Sequence, residues 1–490
     1  MNIRLIMKLL GGINIFLGCT MFVPAIYSLF DGMNGFPQFA ISIAISIVVS
    51  LLLFIPNRKV DGEISHKDGF AVVGLVWISM SIFGALPFLL SNGFGGFTNS
   101  LFESISGFTT TGSTILGSGN TAKISSLPNS ILLWRSMIQW LGGMGIVLLS
   151  MAILPLLGIG GAMLFRAEVP GHSKEKITPR IKETAKFLWW IYLIITALEF
   201  CSLMLAGMMP FDAICHSFTT MATGGFSPKD AGIMYFNSGL IEMILTFFML
   251  VAGCNFALHF LALRGKPLKY IFDEEFRWYW MMFFVLSVFV AAILLITGYY
   301  DNIVESLQYA MFQVASLMTT TGYHSADFEL WRIAAPSVAF ILLIAMFLGG
   351  MSGSTGGGMK TARIVLLFKA TYNSIREIIH PRAVTNVRMN GLVVQDRIVK
   401  LVAFFFILYI MIFLLSTLII SMLGIDLVTS VSAVAACLNN IGPGFNGVGP
   451  LANFDTIPIV GKWLLMLNML IGRLELYTIV LLFIPEFWRR

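Results

Sequence analysis

Apolar runs long enough to cross a bilayer recur from one end of this chain to the other. About 20 such residues span the hydrocarbon core. Lipid offers the backbone no hydrogen-bonding partner, so each run must close its own bonds as a helix. No polar stretch between the runs is long enough to bury a core, which leaves no place for a separate water-soluble domain. The composition fits: 57% of the residues are hydrophobic and 11% charged, against roughly a quarter charged in a soluble domain. The expected fold class is an all-α polytopic membrane protein.

Two N-terminal spans, at 9–30 and 37–56, precede the polar stretch from Asn57 to Asp68. Four units then follow, each made of an outer span, a helix too short to cross, a run containing glycine and an inner span. In the first unit these lie at 69–90, 97–109, 109–114 and 129–158, and a basic loop from Arg166 to Lys186 closes it. The second has spans at 187–208 and 235–263 around a short helix from Phe211 and a run at 223–225. The third has a span at 278–298, a short helix opening at Asp301, a run at 319–323 and a span from near Ala334. The fourth has spans at 398–423 and 457–484 around a short helix from Asp426 and a run at 439–444. The implied divisions are 1–67 for the N-terminal pair and 68–186, 187–276, 277–396 and 397–490 for the units.

Charge placement tests this layout, because one miscounted span would invert every later loop. Of the 31 lysines and arginines, only Lys123, Arg135, Lys229, Arg332 and Lys462 fall on one side, and Arg473 falls inside a span. The rest share the other side, which the positive-inside rule makes cytoplasmic, with both termini there. The net charge of +6 reflects that distribution and is no nucleic-acid footprint. Five cysteines without Cys-x-x-Cys spacing are expected to be reduced packing residues. Arg4 and Lys8 precede an apolar run that lacks a small-residue cleavage site, so no cleaved signal peptide is expected.

The four runs are Phe108-Thr109-Thr110-Thr111-Gly112-Ser113-Thr114, Met221-Ala222-Thr223-Gly224-Gly225-Phe226, Met318-Thr319-Thr320-Thr321-Gly322-Tyr323 and Asn439-Asn440-Ile441-Gly442-Pro443-Gly444. Non-helical backbone at membrane depth is tolerated only where it lines water or is buried in protein. Glycine permits backbone angles that a side chain forbids. Carbonyls of Thr110, Thr111, Thr223, Thr320, Thr321, Asn440 and Ile441 can then face an axis and replace the water around a cation. The short helices before them point their negative ends toward the dehydrated ion. An external turn explains one such run, but not four that each follow a short helix between two spans.

Further stretches carry a resemblance: Trp134-Arg135-Ser136 with Gln139-Trp140-Leu141-Gly142-Gly143-Met144-Gly145, Arg166-Ala167-Glu168-Val169-Pro170-Gly171 with Pro179-Arg180-Ile181, and Ile471-Gly472-Arg473-Leu474-Glu475 with Phe487-Trp488-Arg489. With the runs, they resemble the Trk/Ktr/HKT superfamily of potassium transporters, and within it the membrane subunits of bacterial Trk uptake, over essentially the whole chain. The resemblance implies four pseudo-repeated helix–pore-loop–helix units around one ion pathway plus two extra N-terminal helices. It implies an ion-binding filter of Thr110, Thr111, Gly112, Ala222, Thr223, Gly224, Thr320, Thr321, Gly322, Asn440, Ile441 and Gly442, with Gly112, Gly224, Gly322 and Gly442 as selectivity determinants. Sodium-carrying plant relatives have serine at the first of these, so glycine at all four favours potassium. Tyr323 stands where phenylalanine is expected. The resemblance also implies a homodimer in the bacterial inner membrane and a cytosolic ring of nucleotide-binding regulatory subunits.

A second glycine-rich stretch, 348–361, interrupts the third inner span with Gly349, Gly350, Gly353, Gly356, Gly357 and Gly358. At about 1 kcal/mol per glycine it cannot hold a helix. It is no nucleotide P-loop, since Met359 stands before Lys360 and no strand precedes it. The resemblance makes it an intramembrane gating loop. Because an arginine deep in a span is costly and faces a cavity or a counter-charge, Arg473 is expected, with Lys360, to impede cations when the loop is closed. Pairing of Arg473 with Glu475 or backbone carbonyls is the structural alternative. Glu199 and Glu242 are expected to be capped or paired, His216 and His259 to pack, and Asp212, Asp301 and Asp426 to cap the short helices they open. Glu103 would add negative potential at the mouth. No converging nucleophiles or metal-spaced carboxylates suggest an enzyme, and a receptor leaves four re-entrant runs unexplained. Sodium transport and proton-coupled symport are the alternatives to a passive potassium pore.

Overall fold

The computed structural model describes residues 2–60, 65–117, 120–157, 177–382 and 385–488. Most of the expected basic loop, through residue 176, lies outside them, as do Arg489 and Arg490. Among the described residues, seven helices are long and apolar enough to cross a membrane: Ile3–Phe30, Phe36–Asn57, Lys67–Leu90, Asn129–Leu148, Ala185–Leu205, Glu274–Ile296 and Asp396–Met422. Their outer faces leave residues such as Phe404, Ile407, Leu414 and Leu418 exposed, which lipid solvates and water would not.

The expectation of plain spans needs correction at the second and fourth inner spans, while the third is interrupted at the glycine stretch that the sequence marks. The second breaks at Gly253 into Gly239–Ala252 and Phe256–Leu263, bent by 96°, and the side chain of Asn255 caps the new start by accepting from Ala257 N at 2.8 Å. The third is only Pro336–Leu348 before the glycine loop, and Thr361–Ile379 follows that loop. The fourth divides into Ile459–Arg473 and Tyr477–Leu482 around Glu475 and Leu476, both at positive φ. Within the described residues, the first inner helix alone, Asn129–Leu157, runs unbroken.

At the centre stand four short helices, Phe97–Phe108, Pro210–Met221, Ile303–Met318 and Leu427–Leu438. Their packing is cyclic. Asn129–Leu157 packs on the second, Gly239–Ala252 on the third, Pro336–Leu348 on the fourth, and Ile459–Arg473 closes the circle on the first. Every residue from Ser100 to Phe108 is buried, so serines there must bond backbone, as Ser104 does to Ser81 O at 2.7 Å.

Only one of three expected aspartate caps forms. Asp426 accepts from Thr429 N at 3.0 Å. Asn302, next to Asp301, caps the third short helix by accepting from Val304 N at 2.9 Å. Asp212 lies inside the first turn of the second and pairs with Lys229 at 3.0 Å. All five cysteines are free, but Cys19 and Cys201 are exposed and do not pack inside. A small antiparallel hairpin joins Arg388–Met389 to Leu392–Val393. Its Asn390-Gly391 corner has φ of 49° and 78°, the geometry for which Asn-Gly is favoured.

Candidate functional site

All four short helices end alike. After one capping residue, the chain takes a left-handed residue, and the amide beyond it reaches back five residues: Thr111 N to Ser106 O, Gly224 N to Thr219 O, Thr321 N to Ser316 O and Ile441 N to Ala436 O, each at 2.8 Å. The left-handed residues are Thr110, Thr223, Thr320 and Asn440, with φ of 52°, 53°, 61° and 57°. Asparagine tolerates that region. A β-branched threonine does so at a cost of roughly 1–3 kcal/mol, and such strain clusters where backbone direction matters.

Two residues on comes a second positive φ, at Gly112 (81°), Gly225 (71°), Gly322 (82°) and Gly442 (107°). This register corrects the sequence-based one in the second run. Gly225 is the counterpart of Gly112, while Gly224 is the counterpart of Thr111, Thr321 and Ile441, and Ala222 is the helix cap. These four glycines interlock. A methyl group on Gly112 would sit 2.1 Å from Gly224 O, one on Gly225 2.0 Å from Thr321 O, one on Gly322 1.7 Å from Ile441 O, and one on Gly442 2.9 Å from Thr111 O. Each run thus touches the next, and the fourth touches the first. The runs form a closed ring of backbone with room for no side chain at its seams. On one side they line a shared funnel that includes Gly112, Gly225, Gly322 and Gly442.

A shell of polar side chains fixes the ring. Thr109 bonds Thr111 at 2.8 Å and Thr319 bonds Thr321 at 2.7 Å, hydroxyl to hydroxyl. Ser106 donates to Ser113 O and Ser316 to Tyr323 O, both at 2.6 Å. The Asn440 amide donates to Thr111 Oγ1 and to Met469 O, both at 2.9 Å. The Tyr323 hydroxyl lies 2.5 Å from Thr219 Oγ1 and donates to His216 O at 3.1 Å, so it ties the third run to the second short helix. Gln139 donates to Gly224 O at 2.7 Å and accepts from Phe226 N at 3.1 Å. Its signal in the sequence was a buried amide in a span, which seeks a backbone partner.

Glu103 does not act as a free charge at the mouth. Fully buried, it pairs with Arg135 at 2.6 Å and accepts from Thr114 Oγ1 and Ile115 N at 3.0 and 3.1 Å. Arg135 also donates to Ser227 O at 3.0 Å and stacks over Phe226 at 3.8 Å. The pair therefore ties the first run to the second. Replacing Arg135 with alanine leaves Glu103 buried and unpaired, and is expected to cost about 3–5 kcal/mol. Thermal unfolding in detergent checks this: an unchanged midpoint refutes it.

The glycine loop, 349–360, lies against the ring on the face away from the funnel. Gly357 N donates to Thr320 Oγ1 at 2.6 Å and Gly358 N to Asn439 O at 3.1 Å. Gly349, Gly353 and Gly358 have φ of 74°, 77° and 69°. A methyl on Gly357 would stand 2.3 Å from Asn439 O, one on Gly356 2.9 Å from Thr319 O, and one on Gly350 2.8 Å from Ser354 Oγ. The break in the second inner helix receives the loop, with Met351 N donating to Gly253 O at 2.8 Å and Phe256 N to Gly353 O at 3.1 Å. Arg473, buried, donates to Thr355 O at 2.6 Å, and Lys360 turns back onto Gly356 O. Two cations thus clasp consecutive carbonyls of the loop. Glu475 pairs with Arg363 and not with Arg473.

Elsewhere, His216 bonds Asp212 O and Ser227, His259 bonds Val251 O, and Glu242 accepts from Gln308 at 2.8 Å. Among the described residues no group of three or more His, Cys, Asp or Glu is placed to hold a metal ion. What the arrangement offers a cation is main-chain oxygen.

Comparison with known proteins identifies the family and the fold. The TrkH family, described as "Cation transport protein", matches residues 35–490. The chain is 42% identical to the Trk system potassium uptake protein TrkH of Halomonas elongata and 41% identical to that of Escherichia coli K12, covering all of both chains in each case. It is 33% identical to Escherichia coli TrkG over 100% of this chain and 99% of the relative. The crystal structure of the potassium transporter TrkH from Vibrio parahaemolyticus superposes with a TM-score of 0.90 at 38% identity, over the full length of both chains.

Proposed function

Because the chain belongs to the TrkH family of cation transport proteins, we propose that it carries potassium through the ring of four runs, with the glycine loop as its gate. The observation that carries this reading is the closed ring itself. It is built from four capped helix ends whose partial negative charge favours a cation, and its seams admit only glycine. A filter of this kind replaces the hydration shell of the ion with carbonyl oxygens at fixed distances and needs no carboxylate. The filter positions are then Thr110, Thr111 and Gly112; Thr223, Gly224 and Gly225; Thr320, Thr321 and Gly322; and Asn440, Ile441 and Gly442.

The loop, held on the far side by Lys360 and Arg473, puts two positive charges under the filter and blocks passage in this conformation. The membrane is the bacterial inner membrane, with both termini in the cytoplasm, as the lysine and arginine distribution supports. The resemblance extends the proposal to a homodimer with one pore per subunit, and to a ring of cytosolic nucleotide-binding subunits that sets the position of the loop.

Purified protein in liposomes tests this. Potassium uptake should persist in the presence of equimolar sodium and follow the potassium gradient alone. Equal uptake of both ions would make the pathway a general cation route. Uptake that follows an imposed pH gradient would make it a proton-coupled symporter.

A further inference from the structure

Both ends of the glycine loop are held by one carboxylate oxygen. Glu275 Oε1 accepts from Ser352 N at 2.6 Å near the start of the loop and from Ala362 N at 3.1 Å just past its end. Glu275 is 2% exposed. Ala362 lies in the first turn of Thr361–Ile379, whose N-cap, Lys360, gives no side-chain cap. That turn has unsatisfied N–H groups and a partial positive charge, and Glu275 supplies from another helix what the local sequence lacks.

The two residues before Glu275 are gripped from the other direction by the Arg388–Val393 hairpin. Asn390 Oδ1 accepts from Glu274 N at 2.7 Å, Asn390 N donates to Glu274 Oε2 at 3.0 Å, and Asn390 Nδ2 donates to Asp273 Oδ2 at 3.0 Å. Lys369 pairs with Glu274 and donates to Arg388 O at 2.7 Å. Hairpin, helix start and loop therefore form one bonded unit, in which consecutive residues, Glu274 and Glu275, face opposite tasks.

We propose that Glu275 is the positioning residue that latches the glycine loop beneath the filter, and that the Asn390-Gly391 turn is the external handle whose displacement releases it. The inference rests on the reading of the loop as a gate and adds how its position is set from outside the membrane.

The experiment uses the full chain in liposomes with four forms: wild type, Glu275→Gln, Asn390→Gly and the double variant. Glycine keeps the left-handed turn but deletes the side chain that holds Asp273 and Glu274, so Asn390→Gly preserves the fold of the hairpin. A neutral amide weakens the two bonds to the loop, since charge-assisted bonds are roughly twice as strong as neutral ones.

Glu275→Gln should raise basal potassium flux about tenfold and Asn390→Gly about threefold. The double variant should match Glu275→Gln, because both act on one latch. Reactivity of a Ser352→Cys thiol, with Cys19 and Cys201 replaced by serine, should rise by the same factors, and the preference for potassium over sodium should stay at the wild-type value. Wild-type flux and thiol reactivity in both single variants would overturn the latch. Multiplying effects in the double variant would overturn the link to the hairpin. Lost ion preference would show that these residues act on the filter instead. If Glu275→Gln does not fold, Asn390→Gly with the thiol readout decides alone. A wild-type protein that carries no potassium defeats the proposed function itself, which is a separate result.

Discussion

Gly322→Ala is expected to abolish potassium-selective flux, with a loss of more than about 100-fold. The added methyl would stand 1.7 Å from Ile441 O, closer than any real contact, on a residue with φ of 82°. The left-handed backbone alone costs a β-carbon about 1–2 kcal/mol. The clash cannot be relieved by a rotamer, because the atom met is backbone of the neighbouring run. Either the third run leaves the ring or the fourth does. Competition of sodium against potassium uptake in liposomes measures the outcome, and near-normal selective flux in folded protein would contradict the account.

The same experiment separates the two glycines of the second run. A methyl on Gly225 meets Thr321 O at 2.0 Å, whereas one on Gly224 meets only the side chain of Gln139, at 2.5–2.8 Å. Gly225→Ala should therefore be the more damaging substitution. The reverse order would restore the register read from sequence.

Arg473→Ala should act in the opposite direction and raise basal flux by about 10- to 100-fold. Arg473 gives Thr355 O a charged hydrogen bond, typically worth about 1.5–3 kcal/mol. Its loss removes both that tether and a positive charge from under the filter. The measurement is potassium efflux from liposomes holding protein alone. Unchanged or reduced efflux in well-folded variant protein would remove Arg473 from the gate.

Much of this arrangement is legible in the sequence. Four short helices ending in glycine-bearing runs between long apolar spans left few alternatives to re-entrant backbone, and the runs do meet. Where the sequence misleads, the reasons are local and physical. Gly224 and Gly225 are adjacent, and composition cannot tell which takes the positive φ; the five-residue return bond from Gly224 decides it. Asp301 and Asn302 both make good caps, and the chain uses the second.

The break at Gly253 was hidden because a lone glycine in an apolar stretch reads as tolerated. Its marker was Asn255, a capping residue in mid-span. Of the two structural alternatives for Arg473, Glu475 and backbone carbonyls, the second is the one found, since residues two apart on a helix do not face each other. The true partner, Thr355, is 118 positions away and is brought near only by the tertiary fold. Gln139 and Glu275 were unassigned for the same reason, because what each holds is main chain from a distant segment.

In the proposed pathway, the first inner helix, unbroken among the described residues, restricts where the wall can widen. Three of the four walls below the ring are kinked, interrupted or divided, while Asn129–Leu157 is continuous. In the proposed gate that wall would serve as the fixed jamb, and the give in the doorway would belong to the other three. If the ring conducts as proposed, an ajar form would be lopsided, with ions leaving along a route displaced from the centre of the ring, away from the Asn129–Leu157 quadrant.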